Sequence, residues 1–463
     1  MDFLKDLAIP QTLEHYRLVI LLAAISALVF VPYISYTLGA STLSVWLNRR
    51  ARRTGDRNSI RFARMLVQPP FASKSLVAFL GVIPGLSLVF SYAQMLQGSP
   101  AIGTGLAAFG FLSVLAGLVL LYTYRYTFRV DAVLESFAGA RPAGDAPADA
   151  GEVEEYRASN TAAHLRSGTW GVALLHIGVF LFAAASVVAG GTEYWMSVDS
   201  FLGVLLTGEV WTKYLLVLAF AAGAAGIGMQ VLQSGWTRER PGSHPEVEKL
   251  ARFHGERGTA LGLLAIPLVL LATTALLPPS TASGGVYALA GIGLVLFLLA
   301  AVYAYAHFTR GERLAAPTAL FLFFSGIAAT VVGDYVAVAT ATKDHAVVLA
   351  AVHERELDLL KTKLGVGAPA ATGEDIFNAK CSACHLWDQK KVGPPYFETV
   401  PKYAGKRAQL VAFVLNPSRV NEAYPPMPSQ GLKSAEADSI VSYLLARVAA
   451  AGKMRPEAAA APK

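Results

Sequence analysis

Cys381-Ser-Ala-Cys384-His385 is the segment on which the reading of this chain turns. Cys-x-x-Cys-His is the attachment signature of a c-type haem: two thiols bond the porphyrin edge, and the adjacent imidazole becomes the proximal iron ligand. Cys381, Cys384 and His385 are therefore cofactor-binding candidates, with His385 on the metal. The chain has only 2 cysteines, so the haem takes both and no disulfide framework remains. Downstream, Pro426-Met427-Pro428 lies in a polar loop, a poor place for a core-filling methionine. Its thioether is the candidate ligand for the opposite face of the iron, and a His385/Met427 pair raises the reduction potential. Ile376 to Lys380, with Gly373 and Phe377 beside it, predicts a short helix. Ala435 to Val448 carries Ile440, Val441, Leu444 and Leu445 at helical spacing.

On these motifs, residues of about 370 to 452 resemble a class I cytochrome c. The resemblance implies one covalent haem c and a crossing of the two terminal helices. It also implies that the loop Gly393-Pro394-Pro395 sets a carbonyl against the proximal imidazole N–H, which makes Pro394 part of the cofactor site. His345 and His353, on a charged segment upstream, are read as solvated.

The rest of the chain has another character. Hydrophobic residues make up 54% and charged residues 15%, and the mean hydropathy is +0.46, far too apolar for an ordinary soluble protein. Eight segments reach the ~20 residues needed to cross a bilayer: about 18–46, 74–96, 104–127, 168–190, 212–234, 258–278, 285–308 and 316–341. None alternates strictly, so helices are expected rather than barrel strands. The fold class is all-α: a polytopic transmembrane bundle of about eight helices followed by the cytochrome c domain.

Lys and Arg concentrate in cytoplasmic loops. Arg49, Arg50, Arg52, Arg53, Arg57, Arg61 and Arg64 lie between the first two segments; Arg238, Arg240, Lys249, Arg252 and Arg257 lie between the fifth and sixth; Arg310 and Arg313 lie between the seventh and eighth. The loops at 97–103 and 279–284 carry none. This pattern predicts a bacterial inner-membrane protein with both termini and the haem domain on the periplasmic face. The net charge of +7 is explained by topology and anionic membrane lipid, so no nucleic-acid partner is inferred. The first apolar stretch is too long for a signal-peptide core and is read as a retained helix.

The expected domains are 1–342 in the membrane, 343–371 a helical linker with a hinge at 365–372, 372–452 the cytochrome, and 453–463 a disordered tail. Residues 129–166 read as a Pro/Gly/Ala-rich cytoplasmic loop. Glu193, Asp199 and Glu209, with Trp195, Phe201, Leu202, Leu205 and Leu206, suggest an amphipathic helix at the outer interface.

Of 9 histidines, His176 alone lies clearly inside a spanning segment. A lone intramembrane histidine is costly and often functional, although a satisfied interhelical hydrogen bond is the blander account. His176 is kept as the candidate ligand of a b haem, with Met229 as its potential partner. His15 and His307 sit at helix ends, and His164, His244 and His254 are read as solvated in cytoplasmic loops. Asp334 is a candidate for proton handling or quinol binding, against the plainer reading of an ion pair with Lys213.

Phe30-Val31-Pro32 with Thr37-Leu38-Gly39, and Val198-Asp199-Ser200-Phe201 through Trp211-Thr212-Lys213-Tyr214, resemble the large subunit of the cytochrome bd-type quinol oxidases. Where that family places haem-ligating histidines, this chain has aliphatic or aromatic residues near Ala27, Phe30 and Leu216. The family's Gly-Arg-Gln-Pro-Trp motif is missing. The resemblance thus implies a bd-like scaffold without an oxygen-reducing centre.

Function is read as an electron-transfer subunit of a respiratory or photosynthetic membrane complex, relaying electrons through an outward haem c rather than acting as a self-contained oxidoreductase. The expected partners are a larger membrane complex or a soluble periplasmic cytochrome. The alternative is a bd-like enzyme that passes electrons from quinol to its own haem c.

Overall fold

The computed structural model describes residues 11–139, 150–233, 245–364 and 371–453, and all regular elements among them are helical. His244, the middle of the 129–166 loop, most of the 365–372 hinge and the tail from 454 onward lie outside the described residues. Eight helices are long and apolar enough to cross a membrane: α1 Leu13–Thr54, α2 Lys74–Met95, α3 Gly103–Gly139, α4 Ala150–Gly190, α5 Gly208–Gln233, α6 Pro245–Ala275, α7 Gly284–Arg310 and α8 Ala315–Ala341. The charged helix α9, Lys343–Lys363, follows. Two compact units result: residues 20–340, and residues 341–453 with 11–19.

In the first unit, small residues set the helix spacing, as expected where no hydrophobic force drives apolar helices together in lipid. A Cβ added at Gly178 of α4 would lie 2.8 Å from the Gly110 carbonyl of α3. Gly262 of α6 meets the backbone of Gly223 on α5 in the same way. Helix α2 includes a π-helical stretch over Ala78–Val82. Pro32 and Pro267 sit inside α1 and α6, where neighbouring helices and side chains help re-satisfy freed backbone groups.

Several helices outrun their apolar stretches. Helix α1 has 42 residues, about 63 Å at the helical rise, roughly twice the hydrocarbon thickness. Helices α3 and α4 similarly extend into the segment read as a loop at 129–166. Within the arginine-rich stretch, Arg57–Leu66 folds as a short amphipathic helix. Asp56 caps it by accepting from the Asn58 and Ser59 amides at 3.0 and 3.2 Å. The bonds from Ser59 hold the Asp56 carboxyl below its ordinary range. This helix buries Phe62, Ala63 and Leu66, and Phe62 stacks on His254 with ring centroids 5.7 Å apart.

The expected amphipathic helix near Glu193 is two short pieces, Tyr194–Ser197 and Phe201–Leu206, which leave Met196, Leu202 and Leu206 exposed. Glu193 ties this segment to the next loop on the same side, accepting from the Ser280 amide at 3.0 Å and its hydroxyl at 2.6 Å. Burial pushes the Glu193 carboxyl up, yet its hydrogen bonds leave it below its ordinary range.

His164 departs most from its expected setting. It is fully buried on α4. Asn48 of α1 approaches its Nε2 at 3.0 Å, and Thr127 of α3 lies 2.7 Å from its Nδ1. The amide Nδ2 of Asn48 can only donate, so Nε2 accepts and Nδ1 carries the proton. Arg52 donates to Asn48 Oδ1 at 3.2 Å and to Asp131 at 2.8 Å, and Asn160 also donates to Asp131. The Tyr124 ring stacks on His164 at 4.4 Å. Helices α1, α3 and α4 are thus locked by a polar network outside the apolar stretches. His254 is likewise half-buried among aromatic rings rather than solvated.

The second unit is built on α10 (Gly373–Ile376, continued by a π turn over Phe377–Cys381), α11 (Arg407–Leu415) and α12 (Ser434–Ala450). Its core joins Ile376, Phe377, Val411, Ile440, Val441 and Leu444. Thr372 and Asp375 form a capping box at the start of α10, a reciprocal pairing that satisfies exposed helix-end amides. The first and last helices cross at Gly373, where an added Cβ would strike the Ser439 carbonyl and the Tyr443 side chain.

Helix α9, read from sequence as a linker, packs on α11 and α12. Glu354 accepts from the Ala435 amide at 2.9 Å, in the first turn of α12. Arg355 approaches Asp438, whose carboxylate is 1% exposed and also pairs with Arg407. His345, on the same helix, is half-buried and meets the Tyr16 ring edge-on at 6.5 Å.

Candidate functional site

The haem-binding candidates meet around one cavity. Cys381 arrives on the π turn that ends α10, and the next turn returns the Cys384 and His385 amides to the Cys381 carbonyl at 3.1 and 3.0 Å. The chain then loops back, with the Gly393 amide on the Cys384 carbonyl at 2.9 Å and the Tyr396 amide on the Leu386 carbonyl at 3.0 Å. This closure carries Pro394 to the imidazole: His385 Nδ1–H donates to the Pro394 carbonyl at 2.9 Å. With Nδ1 so engaged, Nε2 is left as the metal-binding nitrogen, and the ring orientation is fixed.

A cavity of about 490 Å³ lies beside this imidazole, lined by both cysteines, His385, Pro394 and Met427. Tyr396 closes one wall, its ring 4.8 Å from that of His385. The Tyr396 hydroxyl is raised well above its ordinary range, first by burial and then by the nearby Cys381 thiol. Met427 is half-buried between Pro426 and Pro428. Lys380 restrains this loop by donating to the Gln430 carbonyl at 3.2 Å, and Gln430 donates to the Pro428 carbonyl at 3.0 Å.

Gly393 supplies the clearest sign of fit. A Cβ there would lie 2.7 Å from both His385 ring nitrogens, so only a glycine lets the loop approach the imidazole this closely. Two thiols, an oriented imidazole and a thioether around one apolar-walled cavity match the donor set of a covalently held haem.

In the membrane unit, His176 bridges helices. Thr42 of α1 lies 3.2 Å from its Nε2 and Tyr214 of α5 lies 2.8 Å from its Nδ1. Both ring nitrogens are engaged, and iron ligation there requires giving up one of these bonds. Met229 is buried on α5, against α6 at Gly255. Asp334 pairs with Lys213 at 2.8 Å. The pair lines a second cavity, of about 830 Å³, whose walls include Ala27, Phe30 and Leu216. Sequence reasoning had Asp334 and Lys213 as an ion pair, and noted Ala27, Phe30 and Leu216 apart from them. Their convergence across three helices leaves no local pattern.

Comparison with known proteins concerns the C-terminal region. A family model described as cytochrome c oxidase, cbb3-type, subunit III matches residues 368–444. The chain is 35% identical to cytochrome c-551 of Azotobacter vinelandii over 78 residues, 16% of this chain and 95% of that protein. Cytochrome c-551 of Pseudomonas aeruginosa is 34% identical over 90 residues, 19% of this chain and 86% of its own. Cytochrome c-552 of Hydrogenobacter thermophilus is 30% identical over 92 residues, 19% and 93% respectively. The C-terminal domain of this chain therefore belongs to the cytochrome c family, and it binds haem c covalently.

Proposed function

We propose that this chain is a membrane-anchored cytochrome c acting as the electron-transfer subunit of a respiratory or photosynthetic membrane complex. Bound haem c supplies a one-electron iron centre. The observation that supports the proposal is the cavity lined by both His385 and Met427; in this reading each would serve the haem iron as a protein ligand, and no coordination position would be left for a substrate. In this reading Cys381 and Cys384 hold the group covalently, Pro394 orients His385, and Tyr396 shields the imidazole from water.

Orientation follows from loop charge. The basic loops are cytoplasmic, and eight spans return the chain to its starting side, so both termini and the cytochrome domain face the periplasm of a bacterial inner membrane. The description of the matched family as an oxidase subunit supports membership of a respiratory assembly. The bd-like reading of the membrane helices supplies a scaffold that holds the cytochrome beside its partner, which is a membrane complex or a soluble periplasmic cytochrome.

Stopped-flow mixing of the purified full-length chain with a reduced soluble c-type cytochrome tests this. Reversible reduction of its haem c, with no catalytic oxidation of decylubiquinol by the chain alone, is the expected result. Multiple turnovers of decylubiquinol would favour the quinol-oxidising alternative.

A further inference from the structure

On the side of the membrane unit that carries the basic loops, α1 and α6 present two arginines at the edge of their apolar stretches. Trp46 closes the apolar stretch of α1, with Arg50 one turn beyond it, and Arg257 stands immediately before the apolar stretch of α6. The helices meet there. Trp46 packs edge-on against His254 of α6, with ring centroids 6.3 Å apart, and both guanidinium groups act electrostatically on that histidine. Arg50 lies 5.6 Å from the Trp46 ring centroid, and Arg257 lies 3.7 Å from that of Phe253. An arginine held on an aromatic face keeps its N–H fork free for a planar, two-point contact.

The lack of an internal anion separates these two arginines from their neighbours. Arg52 pairs with Asp131 at 2.8 Å and Arg252 with Glu256 at 2.9 Å, while Arg49 donates to Thr169. Among the described residues, Arg50 and Arg257 have no carboxylate at ion-pair distance, and the Trp46 indole N–H has no acceptor. Asp56 is the acid that faces Arg50, and its carboxylate already accepts from the Asn58 and Ser59 amides. From Arg257 into the apolar stretch, Leu261, Leu264 and Leu268 follow on one face of α6, and all three are exposed.

We propose that this site binds the phosphate of an anionic phospholipid, with Arg50, Arg257 and Trp46 as donors and an acyl chain along the leucine stripe. Arginine forks match phosphate oxygens, and the tryptophan ring sits at the headgroup level where such rings settle. A headgroup that carries its own ammonium is repelled by the two unpaired arginines, and a free phosphate makes no use of the leucines. Loop charge by itself gives a diffuse attraction to anionic lipid, shared among all the basic loops. A built site depends instead on these particular residues, and it is independent of the haem relay.

Native mass spectrometry of the detergent-purified full-length protein, titrated with phosphatidylglycerol or with phosphatidylcholine of the same chain length, tests the proposal. One retained phosphatidylglycerol per chain is expected, preferred roughly tenfold over phosphatidylcholine. Arg50→Gln and Arg257→Gln should each weaken its binding about fivefold, the worth of one basic residue at the membrane surface. Trp46→Phe keeps a ring but not the N–H and should weaken it about threefold; with Arg257→Gln it decides the matter if Arg50→Gln aggregates. Arg313→Gln, in the loop between α7 and α8, should change nothing, and covalent haem c content should be the same throughout. No preference for phosphatidylglycerol, unchanged binding by the Arg50 and Arg257 variants, an equal loss in Arg313→Gln, or displacement of the lipid by millimolar inorganic phosphate would overturn the proposal.

Discussion

His385 donates from Nδ1 to the Pro394 carbonyl at 2.9 Å, and Gly393 makes that bond possible by bringing the loop against the ring. Replacement by alanine forces a Cβ to within 2.7 Å of the imidazole nitrogens unless the loop retreats. Gly393→Ala is expected to destabilise the domain by about 1–3 kcal/mol, the usual cost of overpacking. It should also lower the fraction of chains carrying haem, read as covalent haem per protein.

Among the described residues, Met427 is the only methionine lining the haem cavity. Met427→Ala should abolish the methionine-to-iron charge-transfer band at the red end of the visible spectrum. The midpoint potential should fall by on the order of 0.1 V, a fraction of the ~0.8 V range that axial ligands span. Redox titration of the full-length protein checks both, and an unchanged band would assign the ligand elsewhere.

Asp438 is 1% exposed between Arg407 and Arg355. Arg407→Ala leaves the buried Asp438 carboxylate without its nearer counter-charge and should cost on the order of 3 kcal/mol. Arg355→Ala removes a largely exposed partner and should cost less than ~1 kcal/mol. Guanidinium titration followed by the haem band compares the two, and equal effects would contradict the assignment of Asp438 to the core.

Replacing His164 should destabilise the membrane unit although it lies outside every apolar stretch. His164→Leu deprives Asn48 and Thr127 of buried partners, at ~1–3 kcal/mol each, so a loss of about 2–4 kcal/mol is expected. His164→Gln, which can both donate and accept, should recover part of it. Thermal aggregation of the detergent-solubilised protein measures the series.

The haem motif was legible in the sequence because its chemistry is local: five residues offer two thiols and an imidazole, whereas Pro394 came from the cytochrome c resemblance and Met427, 42 residues beyond His385, from its polar Pro-Met-Pro loop. The eight spans were equally plain, since bilayer thickness imposes a length that hydropathy reports. The His164 network was missed because apolar length ends where the bilayer ends, whereas α1, α3 and α4 continue beyond it. A signal was present: Asn48 and Arg52, Thr127 and Asp131, and Asn160 and His164 each stand four residues apart, the spacing that places two side chains on one helix face. The linker at 343–363 looked solvated because its charges are frequent, and only the fold shows Glu354 and Arg355 meeting Ala435 and Asp438, some eighty residues away. The cavity at Lys213 and Asp334 depended on helix order in space, which no single segment encodes.

In the proposed relay, one haem c, bound by Cys381 and Cys384, is the redox centre of this chain. Acid–acetone extraction of the purified full-length protein, with pyridine haemochrome spectra of the extract and the residue, tests it most directly. One covalent haem c per chain with negligible extractable haem is the predicted result. One equivalent of extractable b haem would contradict it and would make His176 a ligand.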